Sequence, residues 1–190
     1  MERFSRTGEA VWERAVLSGV IAQARQAAGG AVLWGGYAEP RRLYEGASLF
    51  DGPEVKVRDQ HLGIDFWAEA GTPVHAVANA VLHSQQDNAR LRDYGPTIIL
   101  RHADGLHSLY GHLSRASLRL HSVPGEVIPA GTLLGWMGMP EENVDWPPHL
   151  HFQLIHDMQG LQGDYPGVCA MSDLPFYLAN CPDPAPYFGL

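Results

Sequence analysis

The chain is predicted to be mainly β, an antiparallel sheet or sandwich with one helix at its N-terminal end. From residue 61 onward, short runs of β-branched, aromatic and leucine residues recur between turns rich in Gly, Pro and Asn. Within several runs apolar and polar residues alternate, which is the period of a strand with one buried face. Ahead of them lies a single helical stripe over residues 8–28, closed by Gly29-Gly30.

At 190 residues the chain suits one domain with a full core, and 45% hydrophobic with 18% charged residues describes an ordinary globular protein. A net charge of −8 argues against a nucleic-acid surface and against adhesion to anionic membranes. Cys169 and Cys181 are too few for a dense disulfide framework; their spacing leaves a pairing open, and two reduced or buried thiols is the favoured reading. Residues 1–9 carry Arg3 and Arg6, but the following segment is amphipathic and interrupted by Glu13 and Arg14, unlike a signal peptide. No apolar run approaches the roughly 18 residues needed to span a bilayer. On this sequence alone a cytoplasmic location is expected, for a chain that stands alone or is cut from a longer one.

The elements follow in order. Residues 1–54 are expected to form the N-terminal helix and an approach segment. Thr7 is placed to cap the helix and Glu9 suits its positive end. Trp12, Val16 and Val20 recur at four-residue spacing, with Leu17, Ile21 and Ala24 beside them. A short strand is expected at 31–34, then a turn-rich stretch in which Glu39 and Arg41-Arg42 read as loop residues or as contributors to a site. Residues 55–157 form the expected core domain. Its strands are Thr72–Ala78, 81–83, 97–102, 107–113, 132–137 and 149–155, with a hairpin at Ala103-Asp104-Gly105. Residues 158–190 form a loop-rich tail packing on the core, with one short helix over Ser172–Ala179.

The informative stretch is His149-Leu150-His151-Phe152-Gln153-Leu154. In a strand, His149, His151 and Gln153 share one face, and Leu150, Phe152 and Leu154 share the other. Two imidazoles on a rigid strand have no use in a core, so a metal or proton transfer beside one is the natural use. Upstream lie His61-Leu62-Gly63-Ile64-Asp65 and Tyr110-Gly111-His112-Leu113. Gly63 and the lack of helical periodicity place His61 and Asp65 on a loop entering a strand. Together these pieces supply four imidazoles and one carboxylate. A catalytic zinc needs three N/O ligands and an open position, so the set suffices with two histidines to spare. No His-Glu-x-x-His helix occurs in the chain.

The HxxxD, Tyr-x-His-Leu and His-x-His motifs, in this order, resemble the M23 family of zinc metallopeptidases. Gly71-Thr72-Pro73-Val74-His75-Ala76-Val77 is similar to that family's Gly-Thr-Pro-Val-x-Ala strand, and Val127–Gly131 with Leu134-Gly135 to its later turn region. The likeness covers residues 55–157. It implies an antiparallel fold of the M23 peptidase type and one zinc per chain held by His61, Asp65 and His151. It also implies His149 as general base, and His112 as oxyanion stabiliser or partner in proton transfer. The implied substrate is a peptide or amide of the peptidoglycan cross-bridge kind.

The chemistry is self-consistent. Bound zinc lowers the pKa of its water from about 15.7 toward 7. An imidazole of pKa about 6.5 accepts that proton near neutral pH, and a second, protonated, donates to a developing oxyanion. Tyr110 is expected on the face of His112, as its support or as core packing. His75, His83, His102, His107, His121 and His156 read as packing or surface groups. Two departures from the family bear on rim shape and substrate choice: Pro147-Pro148 where Gly-Pro is usual, and Gln153 where Glu is frequent. The segments around Asp145–Pro148, Gly163–Val168 and Cys181–Pro184 resemble M23 domains embedded in multidomain phosphotransferase and aminotransferase proteins, which implies neighbouring domains as partners. The alternative function is a non-hydrolytic module that keeps the metal pocket to bind a ligand or brace such neighbours. An amidase or esterase acting on a small metabolite would share the same site.

Overall fold

The computed structural model describes residues 2–3, 14–41, 58–90 and 93–190. An eight-stranded sheet organises it. In chain order its strands are β1 (Glu2–Arg3), β2 (Leu33–Gly35), β4 (Ile64–Trp67), β6 (Ala80–Asn88), β7 (Gly95–His102), β8 (His107–Gly111), β9 (Val127–Ile128) and β11 (His149–Ile155). Two small antiparallel pairs complete the architecture. One joins β5 (Pro73–His75) to β10 (Leu133–Trp136); the other joins β3 (Arg58–His61) to β12 (Val168–Ala170). The sheet order is β1-β2-β4-β11-β8-β7-β6-β9, antiparallel throughout except for the β1–β2 pair at one edge. The antiparallel, mainly β expectation holds, and among the described residues no helix is long and apolar enough to cross a membrane.

Strand β11 runs between β4 and β8 and is buried along its whole length. Leu150, Phe152 and Leu154 enter the main core with Ile64, Phe66, Ile98, Leu100, Leu134 and Tyr110. The opposite face carries His149, His151 and Gln153. Beyond them Ile155 joins a second core with Leu62, Tyr94, Ile99, Leu109, Cys169 and Cys181. The alternation read from the sequence is therefore the alternation in space.

Helix α1 is described over Arg14–Ala27, and the proposed Thr7 cap, Glu9 and Trp12 lie outside the described residues. Its buried stripe differs from the expected one. Leu17 and Ile21 pack on Leu33 and Trp67 with Ala24 and Ala28 alongside, whereas Val16 and Val20 are exposed. The flanking residues of the expected stripe are the ones that meet the sheet. At its end the Gly30 N–H bonds the Arg25 carbonyl at 2.7 Å, as the Gly29-Gly30 stop requires.

Strand β6 extends well past the apolar 81–83 run, through Ser84, Gln85, Gln86, Asp87 and Asn88. The two buried polar residues among them, Ser84 and Asn88, are satisfied by the backbone of Gly163. The Gly163 N–H bonds Ser84 Oγ at 2.8 Å, and Asn88 Nδ2 bonds the Gly163 carbonyl at 2.9 Å. The short helix near the C-terminus is α2 (Leu174–Asn180). Just ahead of it, Ser172 Oγ donates to the Asp173 carboxylate at 2.9 Å.

Candidate metal centre

Three stretches distant in sequence deliver the five residues of the site, one with His61 and Asp65, one with His112 and one with His149 and His151. β3 ends at His61, and β4 begins three residues later, at Ile64, and carries Asp65. In the β4–β11 ladder Asp65 stands directly opposite His151, and Trp67 opposite His149. Cross-strand partners present their side chains on one face at close range, so this register alone brings carboxylate and imidazole together.

His61 Nε2, Asp65 Oδ1 and His151 Nδ1 converge. The nitrogens are 2.9 Å apart, and Asp65 Oδ1 lies 3.4 Å from His61 and 3.1 Å from His151. All three residues are buried. The outer hydrogen bonds assign the tautomers. His61 Nδ1–H donates to the Gly36 carbonyl at 2.7 Å, and His151 Nε2–H donates to Gln153 Oε1 at 2.9 Å. The inward nitrogens are therefore lone pairs, and they face a carboxylate oxygen with no proton among them. Only a cation suits that arrangement. Ligands about 2.0–2.1 Å from a tetrahedral zinc stand about 3.4 Å apart, close to the separations seen here. The N/O donor set also fits zinc.

The electrostatics agree. Burial, followed by the Arg41 guanidinium, lowers the His61 pKa from 6.5 to about 4. Burial alone would raise the Asp65 carboxyl, but Arg41 and then His61 outweigh it and hold it well below the usual carboxylate range. His61 is thus a neutral imidazole and Asp65 an anionic carboxylate, the forms that bind metal.

Beside the triad stand His112 and His149, their ring centroids 4.0 Å apart. His149 Nδ1–H donates to the Pro147 carbonyl at 2.7 Å, which leaves Nε2 as its free lone pair. Pro147, one of the departures from the family pattern, thereby contributes a backbone acceptor. Burial lowers the proton affinity of both imidazoles, and for His112 the neighbouring His149 adds to the effect. His112 Nδ1 is buried with no hydrogen-bond partner. His112 lies just beyond β8 with φ +61°, and this left-handed residue breaks the strand alternation. Tyr110 consequently does not share its face. The Tyr110 ring packs edge-on against Phe152 at 5.2 Å inside the main core.

The aromatic beside His112 is Tyr94, 5.8 Å away between ring centroids, with its hydroxyl 3.4 Å from His151 Nε2 and from Gln153 Oε1. Sequence reasoning missed it. The available signal was Gly111, a glycine inside a strand, where a Cβ would come 2.7 Å from the Tyr94 ring. Trp67 stacks on His149 at 6.3 Å, and Trp146 stands 6.2 Å from both His112 and His149. Neither tryptophan was read from the sequence as part of the site.

The sequence profile described as peptidase family M23 matches residues 59–162, more than half of the chain. The chain belongs to peptidase family M23. Zinc is the cofactor of these M23 metallopeptidases, and His61, Asp65 and His151 offer the donors it takes. Among curated relatives, the chain is 37% identical over 93 residues to the DD-carboxypeptidase/endopeptidase Mpg of Neisseria meningitidis serogroup B, covering 49% of this chain and 19% of that protein. It is 34% identical over 96 residues to the glycyl-glycine endopeptidase ALE-1 of Staphylococcus capitis, covering 49% of this chain and 24% of that protein. The chain thus spans about a fifth to a quarter of the length of these M23 relatives. In fold it is similar to the catalytic domain of the prophage-encoded M23 protein EnpA from Enterococcus faecalis. That comparison has a TM-score of 0.50 at 23% identity and covers 73% of this chain and 94% of the other.

Proposed function

We propose that this chain is a zinc metalloendopeptidase domain that cleaves short, unhindered peptide bonds of the kind found in peptidoglycan cross-bridges. The observation that carries the reading is the convergence of three lone-pair donors beside two further buried imidazoles, one of them with an unpartnered nitrogen. His61, Asp65 and His151 would hold the metal. When bound, zinc supplies Lewis acidity toward the scissile carbonyl and acidifies a water nucleophile.

The remaining work falls to the chain's own groups. His149, its Nδ1 tied to Pro147, offers Nε2 as the proton acceptor. His112 uses its unpartnered Nδ1 to hold the substrate oxygen or to share the proton. Burial keeps both imidazoles neutral at rest, which suits acceptance of a proton near neutral pH. Trp67 and Trp146 wall this corner and limit water around the two rings. The relatives named for glycyl-glycine and for DD-carboxypeptidase/endopeptidase activity support a peptide substrate with little side-chain bulk.

The test is to measure zinc content and peptide cleavage together. Purified protein should retain about one zinc per chain and cut pentaglycine or a cross-linked muropeptide. Full zinc occupancy with every such peptide left intact would overturn the reading.

A further inference from the structure

We propose that Arg41 is a positioning residue of the metal centre, holding Asp65 Oδ2 so that Asp65 presents only Oδ1 to the cation. The two oxygens of this carboxylate have different surroundings. Oδ1 faces His61 Nε2 at 3.4 Å and His151 Nδ1 at 3.1 Å. Oδ2 is paired with Arg41 Nη1 at 2.7 Å, with the Asp65 side chain 1% exposed and that of Arg41 20% exposed. A carboxylate with both oxygens free can close on a cation through both and occupy an extra coordination position. A guanidinium on one oxygen prevents this.

Arg41 is carried there by a defined backbone track. Ala38 N–H bonds the His61 carbonyl at 2.9 Å, and His61 N–H bonds the Glu39 carbonyl at 3.1 Å. Pro40 bridges Gln60, and the Arg41 N–H donates to the Asp59 carbonyl. The segment therefore runs antiparallel along β3, the strand that delivers His61. Gly36 makes room for the guanidinium. A Cβ there would lie 2.3 Å from Arg41 Nη2 and 2.9 Å from His61 Nδ1, and its φ of +109° favours glycine in any case. One residue thus provides both the acceptor for His61 and the space for Arg41.

The inference rests on the metal-centre reading, and the experiment separates the two. Zinc affinity is measured by chelator competition in wild type, Arg41→Ala and Arg41→Lys. The cobalt-substituted forms are compared by visible absorption, whose intensity falls when a four-coordinate ion gains a ligand. Arg41→Ala should bind zinc about 10-fold more weakly or worse, within the range for outer-sphere partners. Its cobalt absorption should be several-fold weaker, with Arg41→Lys in between. Unchanged cobalt absorption in Arg41→Ala, or zinc bound as tightly as in wild type, overturns the role of Arg41. Wild-type protein that takes up no zinc would instead sink the metal-centre reading itself. Should Arg41→Ala fail to fold, Arg41→Gln carries the same two measurements.

Discussion

His151 Nε2–H donates to Gln153 Oε1 at 2.9 Å, so one strand carries both a proposed ligand and the side chain that orients it. The amide is itself held, because its Nε2 donates to the Pro166 carbonyl at 3.1 Å and to Cys181 Sγ at 3.3 Å. Its oxygen therefore points at the histidine. A ligand's outer partner typically contributes 10–100-fold in metal affinity. Gln153→Leu should weaken zinc binding by about that factor while leaving the sheet intact, as read by chelator competition and far-UV circular dichroism. Equal affinity in the variant would show that packing alone orients His151.

Removal of either unligated histidine separates binding from turnover. His149→Ala should retain zinc at the wild-type stoichiometry and lose peptide cleavage by about 10²–10⁴-fold, the usual contribution of a positioned acid or base. His112→Ala should behave alike in metal content and lose about 10²–10³-fold, the cost of one oxyanion donor. Metal analysis beside single-turnover cleavage distinguishes both from a ligand variant such as His61→Ala, which should lose metal and activity together.

Metal-free protein should lose stability in mild acid. Burial, then Arg41, lowers the His61 pKa from 6.5 to about 4, and burial lowers His112 and His149 in the same direction. Between the unfolded and folded values the unfolded chain binds more protons. The stabilisation is thus complete above about pH 6.5 and is lost as pH falls toward 4. Each such group contributes a slope of up to about 1.4 kcal/mol per pH unit. Urea midpoints of the metal-free protein from pH 7.5 to 4.5 should fall steadily below 6.5, and a flat profile would contradict the neutral state of these imidazoles.

Cys169 and Cys181 are unpaired and buried, and burial pushes their thiols up to about 11 and about 12. Neither should react with a thiol reagent at pH 8 in the native protein, and both should react after denaturation. Rapid native labelling of Cys181 would place the Gln153 contact in doubt.

The parts legible in the sequence were those written as side-chain alternation. Residues 149–154 read as a strand because apolar and functional residues alternate there, a pattern with the period of a strand. His61 and Asp65 were legible as ligand types, although their meeting with His151 depends on a ladder register that no local pattern encodes. What stayed hidden arises from backbone and from isolated residues. The Gly36 carbonyl carries no side-chain signal, and Tyr94 belongs to no motif in the sequence and stands just ahead of β7. Tyr110 was placed on the wrong face because one left-handed residue, His112, reverses the parity of the strand. The helix stripe was misassigned by a fraction of a turn, since Val16 and Leu17 are equally apolar and only the position of Trp67 decides between them.

Apart from Gln153 and Tyr94, the outer supports of the triad come from beyond the stretch that matches the family. Gly36 and Arg41 precede residue 59, while Pro166 and Cys181 follow residue 162. A fragment trimmed to 59–162 would keep every ligand and both spare imidazoles, yet leave His61 without its acceptor, Asp65 with both oxygens loose and Gln153 free to rotate. Flanks that resemble mere connecting chain thus act as the outer wall of the centre, and excising them would yield a domain with its motifs complete and its grip on the ion impaired.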